Sequence, residues 1–586
     1  MEQAVIEHRP LAPERVSALA SALGVARGTA EALCQRGYCE LESARRFLAA
    51  QERHDPGALA GSEEAAARIR AHIRAGSLIA VHGDYDVDGV CASAILLRAL
   101  RALGGRAISY IPDRIGEGYG LGAAAVARFA ARGVGLIITC DCGITAAAEV
   151  AQARAAGIEV IITDHHALPE ALPQALIVHP QLGSYPWAHL CGAAVAHKLA
   201  QVLAAGTPAG AIVASDLDLV ALATVADSVP LLGENRSLVR EGLRALACTQ
   251  KSGLRALYAR AGVDATRLDE RTIAFALAPR LNAAGRVHRA DAALELLLCS
   301  EPARARAIAD ELQRANEERR AREQRVLLQA EAQVAALGSR PAYVLAGEGW
   351  HPGVIGIVAS RLAERHHRPF ALVSLAGELG RGSARSIVGY DLLEGLRASA
   401  EHLRRYGGHR AAAGFEVSRD RLQSFGAAMI AHAGGAFAAG LPVAKLRADA
   451  LLEGPELSHE LAEELRLLAP FGVGNPPVAL LLRQLRADRV RTMGGGRHLR
   501  FCVDAQGTRM NAVAFSGPGA QERELLRRGE HFDGLFELEL NEWRGRSEAR
   551  LCLRHLIGTQ RAQHAAAARI AAAAEGDHAC AAVSAG

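Results

Sequence analysis

Three times in the first third of the chain an apolar run stops abruptly at an acid. Leu78-Ile79-Ala80-Val81 ends in His82-Gly83-Asp84-Tyr85-Asp86-Val87-Asp88-Gly89, residues 134–139 end in Cys140-Asp141-Cys142-Gly143, and residues 158–163 end in Asp164-His165-His166. The first two are followed by alanine- and leucine-rich segments of helical period, an alternation that predicts βαβ units and a parallel sheet. Right-handed crossovers put all the strand tips on one edge, where open α/β sheets hold their ligands. Singly, each acid could cap a helix and each histidine could be solvated. Together the tips bring Asp84, Asp86, Asp88, Asp141, Asp164, His165 and His166 to one place. So many carboxylates would protonate one another by repulsion. A pair of divalent cations, which favour these residue types, removes the conflict.

At 586 residues the chain exceeds a single core, and about four domains is the expectation. Lys+Arg 67 against Asp+Glu 63 gives a formal net charge of +4, so an anionic partner must be held by a local patch. The 11 cysteines are scattered without CxxC pairs and read as small apolar residues in a reducing compartment. The charged start lacks a signal-peptide core, and no apolar run approaches the roughly 20 residues of a membrane span. The expectation is a cytoplasmic protein without membrane contact.

Residues 1–60 read as a helical N-terminal extension packed on the first domain. An α/β domain follows over 61–300, with strands near 78–82, 107–111, 134–139, 158–163 and 176–178 and mostly helix after 190; one buried helix there ends at Asp227. Residues 303–337 carry many i,i+4 opposite charges, which predicts a long helix, read as a solvated connector within 301–340. A second α/β unit spans 341–440, and short strands over 447–557 (499–503, 510–515, 536–540, 549–553) predict a small β-barrel. The tail, 558–586, is alanine-rich and is assigned no fold. Gly380-Arg381-Gly382-Ser383-Ala384-Arg385-Ser386 is small, flexible and basic, and its backbone N–H groups, Ser hydroxyls and an Arg could cradle a phosphate.

The segment from His82 to Gly89, then Asp141, Asp164-His165-His166 and Asp227, resembles the four motifs of the DHH phosphoesterase superfamily. Four longer stretches resemble its single-strand-specific exonuclease branch. These are residues 112–120 (through Asp113-Arg114 and Tyr119), 279–286 (Pro279-Arg280-Leu281-Asn282-Ala283-Ala284-Gly285-Arg286), 350–361 and 470–476 (Pro470-Phe471-Gly472-Val473-Gly474-Asn475-Pro476). The resemblance covers about residues 60–557. It implies a parallel-sheet DHH domain, a second α/β DHH-associated domain joined by the long helix, and an OB-fold barrel.

It further implies a centre of two ions, Mn²⁺ or Mg²⁺, with Asp86, Asp88, Asp141, His165 and Asp227 at ligand positions and Asp141 bridging. Asp84 and His166 fall in the same motifs and are assigned catalytic roles, as are Arg280, on a substrate phosphate, and His409 of Gly407-Gly408-His409, facing the scissile region. The resemblance assigns Arg114, Ser383 and Arg385 to the terminal 5′-phosphate and Tyr119 to stacking on a base. In the barrel, Arg497, His498, Arg500, Trp543, Arg544 and Arg546 supply the basic and aromatic mixture that single strands favour, Trp543 being the stacking candidate. His179-Pro180-Gln181 and Leu190-Cys191-Gly192-Ala193-Ala194 depart from the family pattern and are read as remote from the metals.

The implied function is 5′-to-3′ hydrolysis of single-stranded DNA to 5′-mononucleotides, in recombination and repair. The expected partners are single-stranded DNA and the single-stranded-DNA-binding protein, and the expected state is a monomer. Two alternatives share these motifs: a phosphodiesterase for short oligonucleotides or cyclic dinucleotides, which has no need of the barrel, and a non-catalytic DNA-binding scaffold, which should have lost motif acids.

Overall fold

The computed structural model describes residues 5–113, 117–287, 289–515, 519–543 and 546–558. The chain divides into a larger unit, Ala50–Pro442 with Gly472–Asn475, and a smaller one drawn from Met1–Ala49, Val443–Phe471 and Pro476–Gly586.

Five parallel strands make the first sheet of the larger unit, in the order Arg106–Tyr110, Leu78–Gly83, Val134–Cys140, Glu159–Thr163, Leu176–Val178. The strand that comes first in sequence lies between the second and third, so the topological switch falls at its carboxyl end. The three central strands are mainly apolar because both their faces are covered, whereas the edge strand Arg106–Tyr110 is partly exposed. Ile79, Val81, Leu136, Ile138 and Ile161 point into one core, with the helices Val87–Ala102 and Gly192–Ala204. Ala80, Ile137, Val160 and Ile162 point into the other, with Phe129 and Val150. The stretch Ala209–Ala226 has a mean hydropathy of 1.7, but 56% of it is buried inside the protein.

The helix Pro302–Leu337 runs 36 residues, about 54 Å at 1.5 Å per residue. It is more than a solvated connector. Ala305, Ile308, Ala309 and Leu312 complete the core of the parallel sheet, and Val326, Leu327, Ala330 and Val334 enter a second core with Trp350, Val354 and Val358. Its charges occupy the remaining surface.

The second sheet has the order Leu403–Gly408, Ala412–Ser418, Leu379–Arg385, Phe370–Ala376, Tyr343–Glu348. Here the structure corrects the reading of residues 380–386 as a flexible backbone cradle, because Leu379–Arg385 is an interior strand, antiparallel to both neighbours. Its backbone N–H groups are committed to the ladder and cannot form a cradle. The glycines answer to packing: a Cβ on Gly380 would lie 2.6 Å from Val373 Cγ1, and one on Gly382 would enter the Phe415 ring.

In the smaller unit, Leu480–Met493, His498–Ala505, Thr508–Ala514, Arg546–Gly558 and Phe532–Trp543 form successive pairs, and the first closes on the last. That is the expected barrel. Its strand Leu480–Met493 was not foreseen, because two register shifts and left-handed Gln484 (φ 52°) and Arg489 (φ 53°) break its alternation. Of the N-terminal segment, residues up to Ala49 belong here rather than on the first α/β domain, while residues 50–60 belong to the larger unit, where the His54 N–H donates to Glu234 at 3.1 Å. Val5–Glu7 pairs with Lys445–Arg447, Arg36 binds Asp449 at 2.9 Å, and the Ala26 N–H donates to Glu464 at 2.7 Å. The tail after residue 558 lies outside the described residues.

Candidate metal centre

Three overlapping sets of donors gather beyond the strand tips, each with its atoms within 4.8 Å: Asp84, Asp86 and Asp141; Asp141, His165 and His166; Asp88, His165 and Asp227. Asp141 and His165 each belong to two sets; a carboxylate such as Asp141 can serve two ions at once, whereas an imidazole nitrogen serves one. The local fold aims each group. Asp86 caps the helix Val87–Ala102, its Oδ1 accepting the Asp88 N–H at 3.0 Å and the Gly89 N–H at 3.2 Å. Asp88, in the first turn, reaches the start of the helix Gly192–Ala204, accepting the Gly192 N–H at 2.6 Å and the Ala193 N–H at 2.7 Å. Asp141 leaves its strand in the left-handed region, φ 62°, a conformation rare for a residue with a side chain, and its carboxylate stands among the other donors. Asp227 ends the helix Leu217–Ala226.

Asp164 has a different task from the other acids. One oxygen accepts the Ile144 N–H at 2.9 Å; the other accepts the N–H groups of His165 (2.7 Å) and His166 (3.1 Å) and pairs with His166 Nδ1 at 2.7 Å. It orients both histidines.

The electrostatics show a site short of positive charge. Burial, then the neighbouring acids, pushes Asp141 well above the carboxylate range. Burial likewise raises Asp88, and it lifts Asp227 to about 8 with help from Asp88 and Asp86. Burial lowers His165, whereas in His166 the bond and charge of Asp164 overcome burial and raise it to about 9. His165 Nε2 and Asp141 Oδ1 lie 3.1 Å apart, buried and without a hydrogen-bond partner among the described residues. An imidazole nitrogen and a carboxylate oxygen facing one space fit a divalent cation between them.

Two segments read as remote from the metals in fact support them. Gly192 and Ala193 hold Asp88, and the buried His179 bonds the His166 carbonyl through Nε2 at 2.8 Å while its Nδ1 accepts the Gln181 N–H at 3.1 Å. Asn282 accepts the Val87 N–H at 2.9 Å, fixing the first helical residue between Asp86 and Asp88. No local pattern announces these contacts; the glycine opening the helix at 192 was the available signal.

Of the remaining candidates, Tyr119 and Asp84 lie at the centre and the other described ones lie elsewhere. Tyr119 keeps a half-exposed ring, but its hydroxyl points inward, 3.4 Å from both His166 ring nitrogens and from the Asp141 carbonyl. Asp84 is buried and accepts the Tyr85 N–H at 2.7 Å. Arg280 is tied to Gln313 of the long helix at 2.7 Å and to the Ala276 carbonyl at 2.5 Å. Ser383 and Arg385 lie together (3.1 Å) against the helix Pro352–His366, and His409 is exposed beyond the strand Leu403–Gly408. Arg114, Arg544 and the side chains of Trp543 and Arg546 lie outside the described residues.

The chain is similar to known proteins along most of its length. The family model of the DHH family, N-terminal domain, matches residues 78–224, that of the DHHA1 domain 334–433, and that of the RecJ OB domain 448–555. The single-stranded-DNA-specific exonuclease RecJ of Bacillus subtilis (strain 168) is 35% identical over 550 residues, 92% of this chain and 69% of that protein. RecJ of Escherichia coli (strain K12) is 35% identical over 526 residues, 83% of this chain and 88% of that protein. The crystal structure of RecJ in complex with Mn²⁺ from Thermus thermophilus superposes with a TM-score of 0.81 at 34% identity, covering 94% of this chain and 79% of that one. A further crystal structure of RecJ, in complex with Mg²⁺, comes from the same organism. With about a third of its residues identical to these relatives over most of its length, and all three family models matched, the chain belongs to the RecJ family of single-stranded-DNA-specific exonucleases.

Proposed function

We infer that the chain is a single-stranded-DNA-specific exonuclease, hydrolysing from the 5′ end to 5′-mononucleotides. The observation that carries this reading is the set of overlapping donor groups at the topological switch, shared through Asp141 and His165. Asp86, Asp88, Asp141, His165 and Asp227 would hold two cations, Mn²⁺ or Mg²⁺. Such a pair, when bound, supplies a water activated at neutral pH and charge stabilisation for the leaving 3′-oxygen.

The protein's own residues do the rest. Asp164 and His179 fix the two histidines, and the N-terminus of Gly192–Ala204 fixes Asp88. Ser383 and Arg385, with Arg114, would take the terminal phosphate, where a planar guanidinium suits bidentate contact. Arg280 would steady an inner phosphate, His409 would face the scissile region, and the barrel with Trp543 would grip the strand. The setting that goes with this activity is the cytoplasm, in DNA recombination and repair, as a monomer that meets the single-stranded-DNA-binding protein.

The test is to incubate the protein and Mn²⁺ with a 5′-phosphorylated single strand labelled at each end in turn, beside duplex controls and Asp141→Ala. Early release of the 5′ label as a mononucleotide, absent from the variant, is expected. Release from the 3′ end, or cleavage of only very short or cyclic substrates, would replace this reading with the phosphodiesterase one. Binding without cleavage under either metal would leave a scaffold.

A further inference from the structure

Asp227 is one of two weakly supported metal-facing acids, the other being Asp141, whose Oδ1 has no hydrogen-bond partner among the described residues. The carboxylates of Asp86 and Asp88 accept backbone N–H bonds, and Asp164 braces both histidines. Among the described residues no hydrogen-bond donor braces the Asp227 carboxylate, whose approach to His165 Nε2 is 3.7 Å. It ends the helix Leu217–Ala226, so its direction depends on where the chain goes next. Next comes Ser228 in the left-handed region, φ 61°. A non-glycine residue stays there only when its surroundings over-determine it.

Two contacts supply that constraint. On one side Asn235 Nδ2 donates to the Pro230 carbonyl at 3.1 Å. On the other, the Leu231 N–H donates to the Val473 carbonyl at 2.8 Å. Val473 sits in Gly472–Asn475, the four residues that group with the larger unit although the chain on either side groups with the smaller one. The segment is a tight reversal, with the Gly472 N–H on the Asn475 carbonyl at 2.8 Å and the reciprocal bond at 3.1 Å. Its glycines permit the approach: a Cβ on Gly472 would lie 2.8 Å from Leu231 Cδ1, and one on Gly474, where φ is +76°, 3.1 Å from Leu232 Cδ1. The glycines of residues 470–476 are thereby accounted for by the loop they touch.

We propose that Gly472–Asn475 is a positioning strap for Asp227: it pins the turn from Ser228 to Leu232 and so sets the carboxylate toward the cations. The inference rests on the metal reading above. Linkage requires the reverse effect as well, because a strap that favours metal binding is itself favoured by the metal.

The experiment uses the full chain and Mn²⁺ without DNA. Gly472→Val should weaken Mn²⁺ binding in calorimetry by about tenfold, the scale of a lost supporting contact. Adding Leu231→Ala, which opens the space the valine needs, should recover most of the affinity. A folded Gly472→Val protein with wild-type affinity overturns the proposal. Should that variant not fold, hydrogen exchange at the Leu231 amide of the wild type decides. Mn²⁺ should slow it at least about threefold, and unchanged exchange overturns the strap. Failure of the wild type to bind Mn²⁺ would instead defeat the metal reading itself.

Discussion

A Cβ added to Gly192 would lie 2.6 Å from the Asp141 Cβ and 2.9 Å from its Oδ1, while the Gly192 N–H holds Asp88. One residue therefore sets the spacing of two acids, by lacking a side chain toward one and by donating to the other. Gly192→Ala should displace the Asp141 carboxylate from the other donor groups and weaken Mn²⁺ binding by about ten- to a hundredfold, as loss of support around a metal does. Calorimetry on protein shown to be folded by circular dichroism would check it; unchanged affinity would mean that the helix simply slides. At this scale the ligand types were legible in sequence, because Asp84, Asp86, Asp88, Asp141, His165 and His166 follow apolar runs. Their supports were not. Gly192, His179 and Asn282 meet the site from elements 13 to 195 residues away in sequence, and only packing brings them there.

At the scale of elements, the strand Leu379–Arg385 shows how a loop-like composition can belong to a sheet. Its glycines sit under Val373 and Phe415, while Ser383 and Arg385 face the helix Pro352–His366 at Gly356, where a Cβ would lie 2.9 Å from Ser383 Oγ and 3.1 Å from Arg385 Nη2. If this pair takes the terminal phosphate, Gly356→Val should displace it. The rate ratio between 5′-phosphorylated and 5′-hydroxyl strands should then fall about tenfold, one charge-assisted hydrogen bond, with Mn²⁺ affinity unchanged. An unaltered ratio would place the phosphate elsewhere. The long helix 302–337 was legible by its charge pattern, yet its two apolar stripes, which stitch two cores, were hidden among those charges.

For the whole molecule, stability without metal should depend on pH with a definite sign. Asp227, raised to about 8, and Asp88 and Asp141, also raised, bind protons when folded that they release when unfolded. Each therefore costs stability as pH rises above its unfolded value near 4. His166, raised to about 9, adds stability below its unfolded value near 6.5 and loses it as pH climbs to 9. The melting temperature of the metal-stripped protein should thus fall between about pH 5 and pH 9, and Mn²⁺ should restore more of it the higher the pH, releasing protons as it binds. A flat profile would contradict the crowded-carboxylate picture. The sequence alone determined most element types of the first α/β domain, its parallel sheet and the convergence of acids at its edge. These follow from hydrophobic period and crossover handedness, which are local or nearly so. Only the tertiary structure decided that residues 5–49 join the barrel, that residues 379–385 form an interior strand, and that Gly472–Asn475 reaches the turn after Asp227. Those outcomes depend on which surfaces meet, and no periodicity within one segment records its partner in another.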